Sequence, residues 1–236
     1  MHVLALDTTT RAGSVAIVND AGVLVEHVGD AARSHTERLP TDVLRALEAC
    51  ALSLADVDVF AIACGPGSFT GLRTGIATLQ GFALALGRRM VAVSALTALG
   101  EAAGATLDRG AVVGAWMDAY RRDVFSALFE IGAGPACAIG HLRELDPPSV
   151  ADPRAILDQW TGRGTAPVAI AGDGAVLYSG ILEGRARVVS PPPLASFIGR
   201  LALARATAGE TIDPAAVQPL YVRRPDVEAA RDACRS

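Results

Sequence analysis

Residues 65–75 read Gly65-Pro66-Gly67-Ser68-Phe69-Thr70-Gly71-Leu72-Arg73-Thr74-Gly75. An apolar run from Val57 to Cys64 precedes this stretch, and a helical pattern follows it to about Leu86. The order predicts a buried strand, a glycine-rich turn and a helix N-terminus that Ser68 or Thr70 can cap. Glycine permits a positive φ and the close approach of a backbone or an anion, and a helix N-terminus can hold a phosphate. Anion binding and close packing are therefore both candidate roles for this loop.

The loop lacks the lysine of a P-loop, and all 21 basic residues of the chain are arginine. The absence of lysine excludes Schiff-base chemistry and a P-loop lysine. The net charge is −4 and the arginines are dispersed. Strong nucleic-acid binding by this chain alone is not expected, because neutralisation of phosphates dominates that affinity. A local patch that adds to a partner's binding surface stays open.

Length and composition limit the class of protein. At 236 residues with 51% apolar content, the chain fits one large domain or two small ones with a sizeable core. Its longest apolar stretches have strand length or are interrupted, so no transmembrane helix is expected. The first residues meet an acid early and lack a basic region, which disfavours a signal peptide. We therefore expect a cytoplasmic protein with no membrane partner.

Four cysteines and four histidines are scattered along the chain, without a C-x-x-C, H-x-x-x-H or H-E-x-x-H pair. Such pairs place two metal ligands on one face of an element. The cysteines are therefore interpreted as small buried hydrophobic residues in a reducing compartment. No metal site is predicted.

The first part of the chain alternates apolar runs with turn residues. Asp7 ends the first run, and Ser34 with Glu37 forms a capping box at the start of the first helix. A β-β-β-α-β-α-β-α lobe over residues 1–104 is typical of sugar kinases, Hsp70 and actin, in which the first hairpin meets phosphate. The predicted strands are 2–6, 13–19, 23–28, 59–64 and 91–93, and the predicted helices begin near residues 34, 70 and 94.

A second unit over residues 105–236 repeats this order weakly. Two such lobes in tandem predict an α/β, actin-like (ASKHA, RNase H-like) duplicated fold, each lobe a mixed sheet flanked by helices. Pro147-Pro148 and the three prolines at 191–193 are predicted as rigid connectors, helix 194–208 is expected to pack back on the first lobe, and tail 226–236 is expected to fray. The predicted strands are 111–117, 124–129, 136–142 and 168–171, and the predicted short helices are 153–159 and 175–179.

The helix predicted from Thr70 to Leu86 has an apolar stripe and a second face of small residues. Glycine inside a helix costs about 0.5–1 kcal/mol relative to alanine, so this face indicates the close approach of another surface. Two alternatives stay open, namely packing on the sheet of the same chain and a subunit interface. On the preceding helix, periodicity places Arg38 on the outer face. The small face contains Gly71, Thr74, Gly75, Thr78, Gly81 and Ala85.

Asp7 and Asp173 each follow a predicted strand. In a phosphotransferase of this lobe type, an acid would act as base and neighbouring glycines would admit phosphate. Asp7, Thr8, Gly172 and Gly174 are therefore candidate phosphate-binding residues. The usual D-x-G reads D-T-T here. We therefore favour Asp7 as a structural acid bonded to its own turn, and Asp173 as a turn residue.

Several motifs resemble the TsaB (YeaZ) family over the whole chain. The segment 65–75 matches the hallmark G-P-G-S-F-T-G-[LV]-R-x-G almost letter for letter. Residues 118–125 are similar to the D-A-R-x-x-E-V-[YF] strand pair, with Asp123 replacing glutamate and Tyr120 inserted before the arginine's place. Further matches are Leu4 to Thr8 with Ser14 to Ala16, Ser34 to Pro40, Gly172 to Ala175 and Pro219 to Arg223.

The resemblance implies an actin-like, two-lobe fold and a role in making N6-threonylcarbamoyladenosine at position 37 of tRNAs that read ANN codons. Family members are related to the transferase TsaD but act as its non-catalytic partner, which the ATPase TsaE joins. The resemblance implies that the chain has no cofactor of its own and that ATP or ADP binds at the interface of the complex. It also implies that tRNA is contacted only through the complex. When the chain is alone, a homodimer is the alternative.

TsaD binds its metal through an H-x-x-x-H helix. The corresponding residues 93–99 contain no histidine, aspartate, glutamate or cysteine. A divalent ion would therefore have no ligands in this segment. A metal-assisted transferase or peptidase is not expected here.

The resemblance also predicts the partner-binding face. In the family, the helices that match residues 36–50 and 70–86 pack against like helices of TsaD. On this interpretation, Gly75→Leu should abolish partner binding and leave the fold intact. The predicted partner-binding residues are Leu39, Val43, Gly67, Ser68, Phe69, Thr70, Gly71, Leu72, Arg73, Thr74, Gly75 and Thr78.

Two other functions are alternatives. A stand-alone, sugar-kinase-like, ATP-dependent phosphotransferase would use Asp7 and the glycine loops, and it would turn over ATP by itself. A metalloprotease would need a cluster of metal ligands, which the sequence lacks.

Overall fold

The computed structural model describes residues 1–223, which form two five-stranded sheets with helices on both faces of each. The predicted tail 226–236 lies outside the described residues. In residues 1–223, no helix is long and apolar enough to cross a membrane.

The first sheet has the strand order β3-β2-β1-β4-β5. Its strands are β1 (Val3–Asp7), β2 (Ser14–Asn19), β3 (Gly22–Val28), β4 (Val59–Gly65) and β5 (Arg89–Ser94). The pairs β1–β2 and β2–β3 are antiparallel, whereas β1–β4 and β4–β5 are parallel. The central strands β1 and β4 are covered on both faces, and their sequences are accordingly apolar throughout.

The second sheet repeats this topology in the order β10-β9-β6-β7-β8. Its strands are β6 (Val112–Asp118), β7 (Val124–Ile131), β8 (Leu142–Ala151), β9 (Ala169–Ala171) and β10 (Arg187–Val189). A three-strand antiparallel meander again pairs in parallel with two later strands. The predicted duplicated α/β architecture is confirmed.

The strand β8 was predicted at the wrong place, and β10 was not predicted. β8 contains Pro147-Pro148, which were expected to form a connector. It is an edge strand, where a missing N–H is tolerated, and the prolines lie where its register with β7 shifts between Ser126 and Leu128. The three residues of β10 are too few to produce a recognisable pattern.

Seven α-helices are found in the described residues: α1 (His35–Ala49), α2 (Phe69–Leu86), α3 (Ala95–Gly104), α4 (Pro153–Gly162), α5 (Asp173–Leu177), α6 (Ser179–Leu182) and α7 (Ala195–Thr207). α1 and α2 contact each other and pack on one face of the first sheet, whereas α7 crosses the other face. α3 contacts strands of both sheets, and α4 to α6 cover the far side of the second sheet. The division into lobes at residue 104 stays a prediction.

Arg38 is buried, although helical periodicity placed it on the outer face of α1. Its guanidinium pairs with Asp42 at 2.5 Å and donates to the backbone carbonyls of Arg11 and Ala12. These carbonyls belong to the turn between β1 and β2. A buried charge requires such partners, and Arg38 thereby attaches α1 to this turn.

Candidate functional site

The glycine loop between β4 and α2 packs on the turn that follows β1. The N–H of Ser68 donates to the carbonyl of Thr9 at 2.8 Å, and a Cβ on Gly67 would lie 2.5 Å from the Cβ of Thr9. Ser68 is also the helix cap, since its Oγ accepts from the N–H of Gly71 at 3.2 Å. The strand, turn and capped helix follow the sequence prediction, and close packing accounts for Gly67.

Gly71 and Gly75 face the end of β1 in the same chain. A Cβ on Gly71 would lie 2.2 Å from the carbonyl oxygen of Thr8, and one on Gly75 would lie 2.2 Å from Thr8 Oγ1. Of the two alternatives for the small face, packing within the chain accounts for these two glycines. The expectation that Gly75→Leu leaves the fold intact is therefore wrong, because the added side chain has no space.

The remaining predicted partner-binding residues divide by their exposure. Leu39, Val43 and Leu72 are at most 1% exposed and belong to the core, so their side chains are not available to a partner in the folded chain. The exposed or half-buried members are Gly67, Ser68, Phe69, Thr70, Arg73, Thr74 and Thr78.

The solvent side of α2 carries mostly small residues. A Cβ on Gly81 would meet no atom of the described residues within 4 Å, and Leu84 is 60% exposed. The hydroxyls of Thr74 and Thr78 donate to carbonyls of their own helix at 2.9 and 2.7 Å, which leaves this surface poor in free polar groups. We call it the α2 outer face, and it consists of Thr70, Thr74, Ala77, Thr78, Gly81, Leu84 and Ala85.

A cleft of about 1250 Å³ lies beside the glycine loop, at the carboxyl ends of strands from both sheets. The β1–β2 turn and the segment before α1 line one side, and the β6–β7 hairpin tip and the start of α5 line the other. Open α/β sheets commonly bind ligands at such strand ends. The charged residues that line the cleft are Arg11, Arg33, Glu37, Asp118, Arg121, Asp173 and Arg223.

The predicted phosphate-binding residues are absent from the described lining of this cleft. Asp7 is buried, and its carboxylate accepts from the N–H and Oγ1 of Thr9 at 2.8 and 2.6 Å. Thr8 is fully buried, and a Cβ on Gly172 would lie 1.9 Å from the carbonyl oxygen of Trp116. Asp7 thus has the structural role predicted for it, and these residues do not fit a phosphate held by this chain alone.

Asp173 and Gly174 shape the start of α5. Asp173 Oδ1 accepts from the N–H groups of Gly174 and Asp118 at 2.9 and 3.1 Å. A Cβ on Gly174 would lie 3.0 Å from the carbonyl carbon of Met117. Asp173 was predicted as a turn residue, but it is the first residue of α5, where it accepts from backbone N–H groups and lines the cleft.

Asp7→Asn is expected to raise the melting temperature at neutral pH. Burial raises the pKa of Asp7 above its ordinary 3.8, and its bonds to Thr9 offset this only in part. Because the folded state disfavours the ionised form of Asp7, the contribution of Asp7 to the stability of the fold falls as the pH rises from 3.8 towards the raised pKa. Asparagine keeps an acceptor for Thr9 without the charge. Thermal melts over a pH series should show a gain at pH 7 that disappears below pH 3.8, whereas destabilisation at pH 7 would contradict this role.

Residues 214–223 connect the two sheets along the edge of the cleft. The N–H of Leu220 donates to the carbonyl of Cys64 at 2.7 Å. Arg223 donates to the carbonyl of Ala119 at 2.8 Å and pairs with Asp123. The segment therefore links the end of β4 to the β6–β7 hairpin.

Arg73 lies against two aromatic rings at the edge of the cleft. Its Nε donates to the hydroxyl of Tyr221 at 3.0 Å, and its guanidinium carbon lies 3.9 Å from the centre of the Phe69 ring. Phe69 and Tyr221 stack with their centroids 5.6 Å apart and are 44% and 39% exposed. Sequence reasoning missed this cluster because Arg73 and Tyr221 are 148 positions apart.

The tip of the β6–β7 hairpin is strained. Tyr120, Arg121 and Arg122 have successive φ values of +57°, +56° and +70°, a region that costs an L-residue about 1–2 kcal/mol. The backbone bonds between Ala119 and Asp123, and between Asp123 and Tyr120, close the loop at 3.1 and 3.0 Å. Tyr120 is 74% exposed, so burial of its ring does not offset the strain.

Arg122→Gly is expected to stabilise the chain by about 1 kcal/mol, because glycine adopts a positive φ without the Cβ clash. The free energy of unfolding from urea denaturation measures the effect. Arg122→Ala is the matched control, since it removes the same charge but keeps the Cβ. An equal gain from both variants would show that charge, rather than backbone strain, is responsible.

A second cavity of about 190 Å³ adjoins α3. Beside it, the buried carboxylate of Glu101 accepts from the N–H of Cys137 at 2.9 Å and contacts Nδ1 of His141 at 2.7 Å. Burial raises the pKa of the Cys137 thiol to about 12, which opposes a thiolate nucleophile at neutral pH. The contacts of Glu101 with Cys137 and His141 therefore hold the connection between β7 and β8 against α3. In the part of the chain that the structure describes, no three His, Cys, Asp or Glu side chains are placed to hold a metal ion.

Comparison with known proteins relates the sequence and fold of this chain to a family. Residues 25–140 match the family described as TsaD: tRNA N6-adenosine threonylcarbamoyltransferase. An uncharacterized protein of Mycobacterium tuberculosis is 42% identical over 150 residues, which cover 61% of this chain and 67% of that protein. The tRNA threonylcarbamoyladenosine biosynthesis protein TsaB of Escherichia coli is 40% identical over 131 residues, or 55% of each chain. YeaZ from Pseudomonas aeruginosa superposes with a TM-score of 0.76 at 27% identity, over 93% of this chain and 99% of that chain.

The chain belongs to the TsaB (YeaZ) family. The family resemblance carried by the segment 65–75 is thereby confirmed. Component A of the (R)-2-hydroxyglutaryl-CoA dehydratase from Acidaminococcus fermentans shares the fold, with a TM-score of 0.52 at 12% identity over 88% of this chain and 99% of that chain. Together with the repeated strand order of the two sheets, these likenesses confirm the actin-like fold predicted for this TsaB-family chain.

Proposed function

We propose that the chain acts in the biosynthesis of threonylcarbamoyladenosine in tRNA, as a non-catalytic subunit that binds and activates TsaD. The α2 outer face is the observation that carries the proposal. It is exposed or half-buried, made mostly of small residues and poor in free polar groups, and among residues 1–223 nothing packed against Gly81 requires a glycine. The TsaB proteins of Escherichia coli and Haemophilus influenzae, 40% and 38% identical over their matched regions, are both named for this biosynthesis.

The partner is expected to present a similar surface. The chain matches the TsaD family over residues 25–140, which include α1 and α2. Two related folds can pair through the same helices about a local two-fold axis, as in isologous dimers. TsaE then joins the pair, and a homodimer through the same face is the alternative when the chain is alone.

The cleft supports the non-catalytic assignment. A general base must reach the proton that it removes, but Asp7 is buried against Thr9 and Asp173 accepts from two backbone N–H groups. Within residues 1–223, no specific contact favours the phosphotransferase alternative. ATP or ADP at the boundary with the partner stays a prediction.

Depletion of the chain in cells, followed by re-expression, tests this function. The threonylcarbamoyladenosine content of tRNA, measured by mass spectrometry of nucleosides, should fall on depletion and recover with the wild type. Asp7→Asn should restore the modification equally well, because Asp7 is assigned a structural role. An unchanged content after depletion would contradict the proposal, and ATP turnover by the purified chain would support the phosphotransferase instead.

A further inference from the structure

We infer that the cleft binds an unpaired segment of RNA directly, with Tyr120 as a stacking surface and Arg11 and Arg33 as phosphate contacts. The inference rests on the proposed function in tRNA modification. It departs from the expectation that tRNA is contacted only through the complex, because it adds a weak contact made by this chain itself. The proposed contact residues Tyr120, Arg11 and Arg33 are not part of the α2 outer face, although Thr70 and Thr74 belong both to that face and to the lining of the cleft.

The size and lining of the cleft favour a polymer segment over a single small molecule. Its volume of about 1250 Å³ exceeds the roughly 300–1,000 Å³ of ordinary small-molecule sites. Three exposed aromatic rings line it. Phe69 and Tyr221 stack on each other with Arg73 against Phe69, whereas the ring of Tyr120 is 74% exposed. Unpaired bases stack on such rings, and guanidinium groups along a groove contact the backbone of the strand.

Arg11 and Arg33 supply positive charge on one side of the cleft, and Glu37 beside Arg33 offsets part of it. The three acids of the lining accept from backbone N–H groups: Glu37 from Ser34, Asp118 from Tyr120, and Asp173 from Asp118 and Gly174. Arg223 is engaged with the carbonyl of Ala119 and with Asp123. Arg11 and Arg33 are exposed on one side of the cleft, and the Arg33 side chain donates a long hydrogen bond of 3.5 Å to the carbonyl of Glu37.

The strained tip holds the ring of Tyr120 at the cleft. Three successive residues with positive φ present Tyr120 at 74% exposure, with Arg121 beside it in the lining. Strained backbone is retained at sites where it positions a functional side chain. A duplex keeps its bases stacked inside, so this ring can reach only bases that are unpaired.

Fluorescence anisotropy with the full chain tests the inference. The probes are a labelled stem–loop RNA with a long unpaired loop and its stem as a blunt duplex, at low salt. The wild type should bind the stem–loop about tenfold more tightly than the duplex. Tyr120→Gly should weaken stem–loop binding by about tenfold, the scale of one stacked base, and Tyr120→Phe should retain it because the ring remains.

The arginines are tested by the dependence of binding on salt. The double variant Arg11→Ala with Arg33→Ala should lower the slope of log affinity against log salt by about one to two. The double variant Arg154→Ala with Arg187→Ala is the matched control, since it removes the same charge from exposed positions outside the described lining of the cleft. It should leave the slope unchanged.

Several results would overturn the inference. They are undetectable binding by the wild type, equal affinity for loop and duplex, wild-type affinity of Tyr120→Gly, and displacement of the stem–loop by an equal concentration of AMP. Failure of the proposed function would be a separate result, because the wild-type chain would then not bind TsaD. Tyr120→Gly should bind TsaD normally.

Discussion

Gly75→Leu is expected to abolish stable folding. Even a Cβ at this position would lie 2.2 Å from Oγ1 and 2.9 Å from Cγ2 of Thr8, which is fully buried. α2 cannot move aside, because Ile76 and Leu79 on the same helix are buried in the core. We expect a loss of about 3 kcal/mol or more, at or above the upper end of overpacking effects, which is a large part of the stability of a typical domain.

Circular dichroism and urea denaturation measure this effect. Gly162→Leu is the matched control, because a Cβ on Gly162 would meet no atom within 4 Å in the part of the chain that the structure describes. The control should melt close to the wild type. A Gly75→Leu protein with the stability of the wild type would show that α2 does not pack on Thr8 as described.

Gly81→Arg is expected to weaken binding to TsaD strongly while the chain stays folded. Gly81 is exposed in the middle of α2 with open space around it, and arginine is a better helix former than glycine by about 0.5–1 kcal/mol. In the proposed interface, the new charge would be buried without a partner. We expect a loss of about 3 kcal/mol of binding free energy, roughly a hundredfold in Kd.

Isothermal titration calorimetry with purified TsaD measures the loss. Gly162→Arg is the control, since it adds the same charge at an open glycine of α4 and should bind as the wild type does. Thermal melts of both variants must match the wild type for the comparison to hold. Wild-type affinity of a folded Gly81→Arg protein would place the interface elsewhere.

Local patterns were sufficient to predict much of the fold. Strand β4, the capped start of α2 at Ser68 and the three-strand meander of the first sheet follow directly from runs of apolar residues, turn residues and caps. The duplication was predicted because the order of elements repeats. The edge strand β8 was misplaced because Pro147-Pro148 resembles a connector, and only the register with β7 shows that a bulge accommodates it.

The site was less predictable, because its features depend on contacts between distant segments. Periodicity showed that α2 has small residues, but it could not show that Gly71 and Gly75 face Thr8 while Gly81 faces solvent. The contact of Arg73 with Tyr221 spans 148 positions. The left-handed backbone of Tyr120 had no signal in the sequence, since such conformations are expected of glycine.

Hydrogen–deuterium exchange of the complex with TsaD tests the central claim most directly. We predict that the backbone amides of α2 between Thr70 and Ala85 exchange more slowly when TsaD is added. Amides in the exposed parts of α1 should also become protected from exchange. Protection confined to the second sheet or to the edge strand β3, with α2 unchanged, would contradict the assignment of the α2 outer face as the partner-binding surface.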